Sequence, residues 1–500
     1  TGYEQYLRID EFLENAPQLV LTEDGHDGQL TWSGLTASRG GSHTPAVDVH
    51  PDDDSKILYT SGSSGLPKGV VQTHANIVAN LQEVWDVISP REVLRFFKSA
   101  PDYHAMGILN IYYPLAKGWE LDMARSPDRV LSDIRLSEPQ GLLTVPLVLD
   151  KVYGNVRKEI DAGGLKASLI ARAVGGKQRL SRRQGSVVDR MFHGLIGSRV
   201  IEKIKSQLAN KVGRNLELLV VGSAKADPEA LDFFQEVLDI TALEGYGVTE
   251  CAPLVAANHL GGRKTGTVGR PLIAVKLVDA TGAIIGSGDP EKGQYHGSSD
   301  GVGELWASGA NVMKGYLNDP EQTALVLVED EAGRVWYRTG DLFSMDAEGF
   351  LSFHGRLGRQ FKLKNGEFIN PELLERIFSR VPLIEHVLIF GDQSRTYPMP
   401  VISVDMDEVR RRIGEGAFPE LEQQPDEVVR RDEGLAQKIR ELIVGEAHEA
   451  GLPAYARPQK VLLLPEPLHE DNGTLTKGLK KIVPGAVAEQ YRTLIEAAYE

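Results

Sequence analysis

The sequence has 500 residues, more than one compact core comfortably accommodates, and therefore predicts two folded units. Its formal net charge of −15 argues against a general nucleic-acid-binding protein, so no nucleic-acid partner is expected. A single cysteine excludes an internal disulfide framework, and no apolar run approaches the ~20 residues of a membrane-spanning helix. These features predict a cytoplasmic protein.

Strands and helices are predicted to alternate through most of the chain. A short strand at residues 57–59 enters a Ser/Gly-rich loop, and apolar residues at helical spacing predict a helix after Thr73. The apolar run at residues 216–221 is typical of a buried parallel strand and is followed by a predicted helix at residues 228–238. This alternation predicts an α/β fold with parallel-rich sheets, in which ligands bind at the carboxyl ends of the strands.

The Ser/Gly-rich loop at residues 59–70 reads Tyr-Thr-Ser-Gly-Ser-Ser-Gly-Leu-Pro-Lys-Gly-Val. Its glycines let backbone N–H groups turn toward a polyanion, its hydroxyls add donors, and Lys68 adds positive charge. It is not a Walker loop, because Gly69 rather than Ser or Thr follows Lys68. A flexible linker is the alternative, but an apolar strand and an amphipathic helix flank the loop. We predict that it binds phosphate through Thr60, Ser61, Gly62, Ser63, Ser64, Gly65 and Lys68.

A strongly basic segment precedes residue 216. It contains only two acids, Asp189 and Glu202, against twelve basic residues: Lys166, Arg172, Lys177, Arg179, Arg182, Arg183, Arg190, Arg199, Lys203, Lys205, Lys211 and Arg214. One interpretation is a solvated helical surface. The other is peripheral contact with an anionic membrane or an anionic ligand.

The tail has a different pattern. Predicted helices at residues 371–381 and 432–446, with predicted strands at residues 387–390, 401–404 and 460–464, indicate a small α+β unit. We expect it to join the preceding part near residues 355–358.

Four motifs together carry a family resemblance. With the loop at residues 59–70, Gly-Tyr-Gly-Val-Thr-Glu at 245–250, Trp-Tyr-Arg-Thr-Gly-Asp at 336–341 and Gly-Thr-Leu-Thr-Lys-Gly-Leu-Lys at 473–480 resemble the signatures of adenylate-forming enzymes. That superfamily comprises acyl-CoA synthetases, peptide-synthetase adenylation domains and luciferases. The run Phe-Lys-Leu-Lys-Asn-Gly-Glu-Phe at 361–368 and the basic segment are most similar to long-chain fatty acyl-CoA synthetases.

The resemblance implies that the enzyme uses ATP and coenzyme A as co-substrates and Mg²⁺ as a cofactor. It also implies roles for individual residues. The adenine side of the nucleotide is expected against Gly222, Ser223, Ala224, Gly245, Tyr246 and Gly247. Thr249 is expected to reach the α-phosphate and Glu250 to hold Mg²⁺. Asp341 is expected on the ribose hydroxyls, with Arg356 on ribose or phosphate.

Two further residues are assigned by the same resemblance. His104, in Ala-Pro-Asp-Tyr-His at residues 100–104, is expected to lie beside the acid's carboxylate, although a lone histidine is often structural. Lys480 is expected to be the catalytic lysine. A small shift in the alignment would assign that role to Lys477 or Lys481 instead. The only support for Lys480 is its place in the motif.

The resemblance also implies a domain plan. Residues 1–45 are expected to be the remnant of an N-terminal subdomain, residues 46–355 the ATP- and acid-binding core, residues 356–360 a hinge at Gly358, and residues 361–500 a mobile domain. The phosphate loop begins at residue 59, far earlier than in complete relatives. We therefore expect that much of the N-terminal subdomain is absent.

These motifs predict a ligase that activates a carboxylic acid, most similar to a fatty-acid–CoA ligase, through an acyl-AMP intermediate. Two alternatives remain open. The adenylate is transferred to a carrier protein or another nucleophile in secondary metabolism, or the chain is a shortened, non-catalytic relative.

Overall fold

The computed structural model describes residues 20–21, 30–31, 48–61, 67–87, 95–126, 129–144, 146–222, 226–476 and 482–499. The chain forms two compact units, Thr1–His50 and Pro51–Glu500. In the first unit, β1 (Val20–Leu21) and β2 (Leu30–Thr31) pair in parallel. The features that follow all belong to the second unit.

The second unit opens with an antiparallel hairpin. Its strands are β3 (Asp54–Ser61) and β4 (Pro67–Thr73), so the strand predicted at residues 57–59 is confirmed. The predicted helix follows as α1 (His74–Glu83). It begins there because the Thr73 hydroxyl accepts from the Asn76 N–H at 3.2 Å while the Asn76 side chain accepts from the Thr73 N–H at 2.9 Å.

The first large sheet has seven strands in the order β11-β10-β9-β8-β7-β5-β6. Its last five strands in that order, β9, β8, β7, β5 and β6, are parallel to one another. The strands are β5 (Arg95–Lys98), β6 (Glu120–Met123), β7 (Gly141–Thr144), β8 (Leu218–Val221), β9 (Thr241–Gly247), β10 (Leu254–Ala257) and β11 (Arg270–Pro271). The parallel strand predicted at residues 216–221 is therefore confirmed as β8.

Helices cover both faces of this sheet. They are α2 (Ala105–Ala116), α3 (Val130–Ser137), α4 (Pro146–Asp161), α5 (Gly164–Ser181), α6 (Val187–Phe192), α7 (Ser198–Val212) and α8 (Pro228–Asp232). Leu142 of the sheet packs with Ile170, Ile201 and Phe233 on one face. Phe96 packs with Met106 of α2 on the other. This two-sided burial explains why the parallel strands read as continuous apolar runs.

A second large sheet is antiparallel throughout. It consists of β12 (Ala274–Val278), β13 (Ile284–Asp289), β14 (Gln294–His296), β15 (Gly303–Ser308), β17 (Leu327–Glu329), β18 (Val335–Met345) and β19 (Leu351–Arg356). Between these strands, β16 (Gly315–Tyr316) pairs with β4 and precedes α9 (Pro320–Val326). The predicted α/β class is confirmed, and the structure adds this antiparallel sheet to the parallel-rich one.

The C-terminal region is a small α+β unit, as predicted. Its elements are β20 (Phe361–Lys362), β21 (Phe368–Ile369), α10 (Pro371–Phe378), β22 (Ile384–Phe390), β23 (Met399–Val404), α11 (Met406–Gly414), α12 (Asp426–Val429), α13 (Glu433–Glu449), β24 (Leu462–Leu463), α14 (Pro484–Gln490) and α15 (Arg492–Tyr499). Helices α10 and α13 pack on one face of its sheet, and α14 and α15 on the other.

Ion pairs link this C-terminal region to the rest of the second unit. Arg380 Nη2 lies 3.1 Å from Asp227 Oδ1, and Lys158 Nζ lies 3.5 Å from Glu408 Oε2. The predicted hinge coincides with the end of β19 and a short 3₁₀ turn at Leu357–Arg359. The domain boundaries and the mobility of the last domain stay predictions.

Candidate active site

A cavity of about 1350 Å³ lies at the carboxyl ends of the parallel strands of the first sheet. Val221 is the last residue of β8, Gly222 follows it, and Gly245 lies near the end of β9. Thr476 and Pro484 of the C-terminal region line another part of its wall. The cavity thus occupies the edge at which ligands bind in open α/β sheets.

The cavity brings together many of the sequence-predicted residues. Those that line it are Thr60, His104, Gly222, Gly245, Gly247, Thr249, Glu250, Asp341 and Arg356. Tyr246 and Lys68 are not among the lining residues, and they contact the site through neighbours. Only the backbone of Ser61 is described, and Gly62, Ser63, Ser64, Gly65, Ser223, Ala224 and Lys480 lie outside the described residues.

At one end of the cavity, a buried carboxylate is held by two partners. The Tyr246 hydroxyl donates to Asp341 Oδ2 at 2.6 Å, and Arg356 Nε lies 3.4 Å from Asp341 Oδ1. The Tyr246 ring packs edge-on against Phe343, with 4.7 Å between ring centroids. Tyr246 therefore orients the predicted ribose-binding carboxylate, while its stacking on adenine stays a prediction.

Burial controls the charge of Asp341, which is 4% exposed. Loss of solvent raises the pKa of this carboxyl above its ordinary value, while Arg356 and the Tyr246 hydroxyl oppose that rise. A carboxylate in these surroundings gains more from a hydroxyl donor than an exposed one does.

Asp341 lies in β18, close to a shift in the register with β15, and Glu304 holds the backbone there. This carboxylate accepts from the Gly340 N–H at 3.2 Å, from Arg338 Nη2 at 3.1 Å and from Trp306 Nε1 at 2.9 Å. Gly340 has a φ of +70°, in the left-handed region that favours glycine. Glu304 thus sets the backbone conformation immediately before Asp341.

A second carboxylate, Glu250, lies on the cavity wall and is 9% exposed. The Tyr316 hydroxyl donates to Glu250 Oε1 at 2.9 Å. Lys68 Nζ lies 5.1 Å from the centroid of the Tyr316 ring and donates to Gln322 Oε1 at 2.8 Å. Lys68 is therefore near this carboxylate, and its phosphate role stays a prediction.

The donor set around Glu250 fits Mg²⁺. Glu250 Oε2 makes no hydrogen bond with any described residue, so it is available to a cation. Mg²⁺ in nucleotide sites commonly takes one or two carboxylates, with phosphates and water as its other ligands. Within the described ranges, no group of three or more His, Cys, Asp or Glu side chains could hold a metal ion.

The turn at Thr249–Cys251 is anchored on its buried side. Gln72 Nε2 donates to the Thr249 carbonyl at 2.5 Å, and Asn311 Nδ2 donates to the Cys251 carbonyl at 2.8 Å. Burial raises the pKa of the fully enclosed Cys251 thiol. At Gly247 a Cβ would lie 2.5 Å from the Pro253 carbonyl oxygen, so this position requires glycine.

His104 has a structural role that is evident from its contacts. It is the N-cap of α2, and its Nδ1 accepts from the Met106 N–H at 3.2 Å. Since Nδ1 accepts, the proton of the neutral ring is on Nε2. His104 also lines the cavity, so its predicted role beside the substrate carboxylate stays a prediction.

The remainder of the cavity is largely apolar. Its apolar lining comes from the segment after α1, from α2 and from residues in or near the strands: Val84, Val87, Phe96, Met106, Leu109, Tyr113, Leu143, Leu243 and Leu254. One polar exception is Asn110, which is 4% exposed and whose side-chain NH₂ makes no hydrogen bond with any described residue. This half of the cavity suits a hydrocarbon group.

The residues flanking the predicted catalytic lysine also line the cavity. Thr476 precedes and Val483 follows the undescribed residues 477–481. Leu475 and Ile482 form an isolated antiparallel bridge, so the chain returns to the same place on either side of this stretch.

Sequence reasoning missed two residues that position the site. Tyr316 and Glu304 lie in a sequence block to which no site role was assigned, yet the Tyr316 hydroxyl donates to Glu250 and Glu304 holds the β18 backbone before Asp341. The signal in the sequence was the block itself, Gly-Glu-Leu-Trp at residues 303–306 and Gly-Tyr at 315–316.

No helix among the described residues is both long and apolar enough to cross a membrane.

The fold and the site define a class of protein. The family model described as "AMP-binding enzyme" matches residues 5–317, and the chain belongs to that family.

Its relatives narrow the resemblance. The chain is 30% identical over 472 residues to long-chain-fatty-acid–CoA ligase 5 of Rattus norvegicus, covering 90% of this chain and 63% of that protein. It is 29% identical over 475 residues to long-chain-fatty-acid–CoA ligase 6 of Mus musculus, covering 92% of this chain and 63% of that protein. The chain thus spans less than two thirds of the length of these curated relatives.

A solved structure shares the fold. The adenylation domain of a carboxylate reductase from Mycobacterium chelonae superposes with a TM-score of 0.72 at 24% identity, covering 99% of this chain and 67% of that one.

Proposed function

We propose that this chain activates a carboxylic acid with ATP, forming acyl-AMP and pyrophosphate, and then transfers the acyl group to coenzyme A. We further propose that the acid is a fatty acid. The observation that carries the proposal is the cavity itself, with Asp341, Arg356 and Glu250 at one end and an apolar lining at the other.

The polar end suits a nucleotide. Ionised Asp341 accepts hydrogen bonds from the ribose hydroxyls, and Tyr246 and Arg356 hold it in place for them. Gly245 and Gly247 keep side chains away from the strand end where the adenine is expected. Thr249 contributes a hydroxyl donor toward the α-phosphate.

The phosphates are expected near Glu250. Its Oε2 would hold Mg²⁺, and Tyr316 orients the carboxylate by donating to Oε1. When bound, Mg²⁺ offsets the negative charge of the phosphates. Lys68, whose Nζ lies 5.1 Å from the centroid of the Tyr316 ring, adds a second positive charge.

In the first step, a carboxylate oxygen of the acid attacks the α-phosphorus of ATP. The bond from the α-phosphorus to the bridging oxygen breaks, and pyrophosphate leaves. Lys480 stabilises the charge that develops on the transferring phosphoryl oxygens. Support for this role comes from Thr476 and Val483, which flank the stretch containing Lys480 and line the cavity.

In the second step, the thiol of coenzyme A attacks the acyl carbon, loses its proton and displaces AMP. We propose that residues 361–500 rotate about Gly358 between the steps and so withdraw Lys480. Partly exposed ion pairs at Arg380 and Lys158 support a contact that can break and reform.

The fatty acid proposal has support from both the cavity and the relatives. The apolar lining contributed by α2 and by the segment after α1 offers a hydrocarbon chain favourable burial. The named relatives are long-chain-fatty-acid–CoA ligases. A water-insoluble acid also makes peripheral contact with a membrane useful, and we propose such contact through the basic segment at residues 166–214.

The test is pyrophosphate release with ATP, Mg²⁺ and panels of fatty, aryl and amino acids. Release with fatty acids, followed by thioester formation with coenzyme A, is the expected result. Comparing coenzyme A with a phosphopantetheinylated carrier and with amines tests the alternative acceptors. No release with any acid, together with intact ATP binding, would contradict the proposal and favour a non-catalytic relative.

A further inference from the structure

One helical surface exposes apolar side chains among cations. It is formed by α5, α6 and the π-type turn His193–Gly197, and we name it the α5–α6 face. Six large apolar side chains on it are at least 36% exposed: Leu169, Val187, Val188, Met191, Leu195 and Ile196. Scattered exposed apolar residues are ordinary, but a contiguous set indicates an interaction site.

The helical geometry makes this set contiguous. Val188, Met191 and Leu195 have i, i+3, i+7 spacing along a helical run that continues into α7, so they share one side of it. The Arg172 guanidinium of α5 lies 4.7 Å from the centroid of the Phe192 ring. This contact brings α5 against α6, and Leu169 lies about one turn before Arg172 on α5.

Nine of the twelve cations of the basic segment fall into two groups. Lys177 and Lys205 bind Asp239, Arg179 binds Asp189, and Arg182 binds Asp232 and Glu236. A second group is exposed and forms no ion pair with any described residue: Arg172, Arg183, Arg190, Arg199 and Lys203. The second group thus offers positive charge to a partner beside the apolar side chains.

Helix α6 is held firmly in its position. Asp189 is 9% exposed, binds Arg179 Nη2 at 2.5 Å and accepts from the Ser186 N–H at 3.0 Å and hydroxyl at 2.8 Å. The Ser186 hydroxyl in turn accepts from the Asp189 N–H at 3.1 Å and completes a capping box. The α5–α6 face is therefore a preformed surface and needs no folding upon binding.

We propose that the α5–α6 face binds the surface of an anionic lipid bilayer. The apolar side chains enter the headgroup boundary, and the unpaired cations contact lipid phosphates and carboxylates. This proposal deepens the membrane contact given under the proposed function by naming the surface that makes it.

Charge complementarity selects this partner. The segment at residues 166–214 carries twelve basic residues and two acids, a net charge of +10, so the rest of the chain carries −25. An anionic bilayer attracts the α5–α6 face and repels the remainder, which fixes the orientation of the protein. A second copy docked symmetrically on this face would bring its unpaired cations together, which disfavours a dimer here.

The test is flotation with vesicles of phosphatidylcholine alone or mixed equally with phosphatidylglycerol, without ATP or acid. We expect binding only to the mixed vesicles, weakening as salt rises. Met191→Asp with Leu195→Asp, and separately Arg190→Glu with Arg199→Glu, should each lower binding at least about tenfold.

Matched controls separate the face from general changes in hydropathy and charge. Ile284→Asp with Val335→Asp changes two apolar side chains, 62% and 44% exposed, on the second sheet, and Arg263→Glu with Arg492→Glu repeats the change in charge at exposed positions elsewhere. These variants should bind like the unaltered protein. Circular dichroism checks the folding of every variant, and any that unfolds is replaced by Met191→Ser with Leu195→Ser.

Three outcomes would overturn the proposal: no binding to mixed vesicles, equal loss in the controls, or an oligomer that dissociates only when the face is altered. The last would identify the face as a contact between copies. Because binding is measured without substrates, failure of the proposed ligase activity would leave this result unaffected. Conversely, face variants should release pyrophosphate from a water-soluble acid at the normal rate.

Discussion

The two walls of the cavity hold their polar groups in different ways. In the wall from the core, Asp341 and Glu250 are at most 9% exposed, and each accepts from a tyrosine hydroxyl. The C-terminal region is attached by ion pairs such as Arg380 with Asp227, whose side chains are 20% and 13% exposed. Buried hydrogen bonds hold a site in one arrangement, while partly solvated ion pairs exchange with water. We infer that the core wall binds nucleotide by itself and that the C-terminal wall acts during chemistry.

The variant Lys480→Ala is expected to separate the roles of the two walls most clearly. We expect acyl-AMP formation to fall about 10²- to 10³-fold, because charge stabilisation in the transition state is lost, while ATP binding is retained. Pyrophosphate exchange and calorimetric ATP binding measure the two quantities. Lys477→Ala and Lys481→Ala are matched controls within the same stretch. If the large loss occurs in either control instead, the catalytic lysine is assigned to the wrong residue.

On the core wall, Asp341→Asn should lower affinity for ATP about 10- to 100-fold, because hydrogen bonds to a charged acceptor are lost. Asp346→Asn is the control, since its carboxylate binds Lys264 and does not line the cavity. Burial raises the pKa of Asp341, so ATP affinity of the unaltered protein should fall as pH drops through that raised pKa. An Asn variant that keeps the same pH dependence would contradict this role.

A smaller effect on activity is expected from altering Tyr316, the hydrogen-bond partner of Glu250. Tyr316→Phe removes only the hydroxyl that orients this carboxylate, and we expect the Mg²⁺ concentration for half-maximal activity to rise about tenfold. Tyr295→Phe, on the second sheet, is the control. An unchanged Mg²⁺ requirement, with a folded variant, would show that Glu250 does not depend on Tyr316.

The smallest effect is expected at the attachment of the C-terminal region. Arg380→Ala should slow acyl-AMP formation about three- to tenfold, as a partly exposed ion pair contributes modestly, and should leave ATP affinity unchanged. Arg410→Ala, which breaks a 2.6 Å ion pair with Asp426 inside the C-terminal region, is the control. Equal loss of ATP affinity and rate in Arg380→Ala would show that the two walls are not separable.

Two backbone requirements of the site fall on glycines of the recognised motifs, although neither requirement was itself predicted from the sequence. A side chain at Gly247 would collide with the Pro253 carbonyl, and Gly340 adopts a left-handed conformation. The parallel strand β8 and helix α10 were predicted, because burial and capping leave a local pattern.

Contacts between distant segments were not accessible. Tyr246 and Asp341 are 95 residues apart, and Lys68 and Gln322 are 254 apart, so no short motif encodes these hydrogen bonds. In the basic segment, composition could not tell which cations are already paired. The acids that bind Lys177, Arg182 and Lys205 lie beyond the segment, on or near the helical run that begins with α8.

Cys251 has a practical consequence for observing the C-terminal region. It is the one cysteine in the sequence, is fully enclosed, and has a thiol whose pKa is raised by burial. Thiolate is the reactive form, so maleimide dyes should leave it unmodified in the native protein. Cysteines introduced at exposed positions in the core and in the C-terminal region can then be labelled without first removing a natural one. The distance between two such labels, measured by fluorescence resonance energy transfer, would show whether the two regions reorient when pyrophosphate departs.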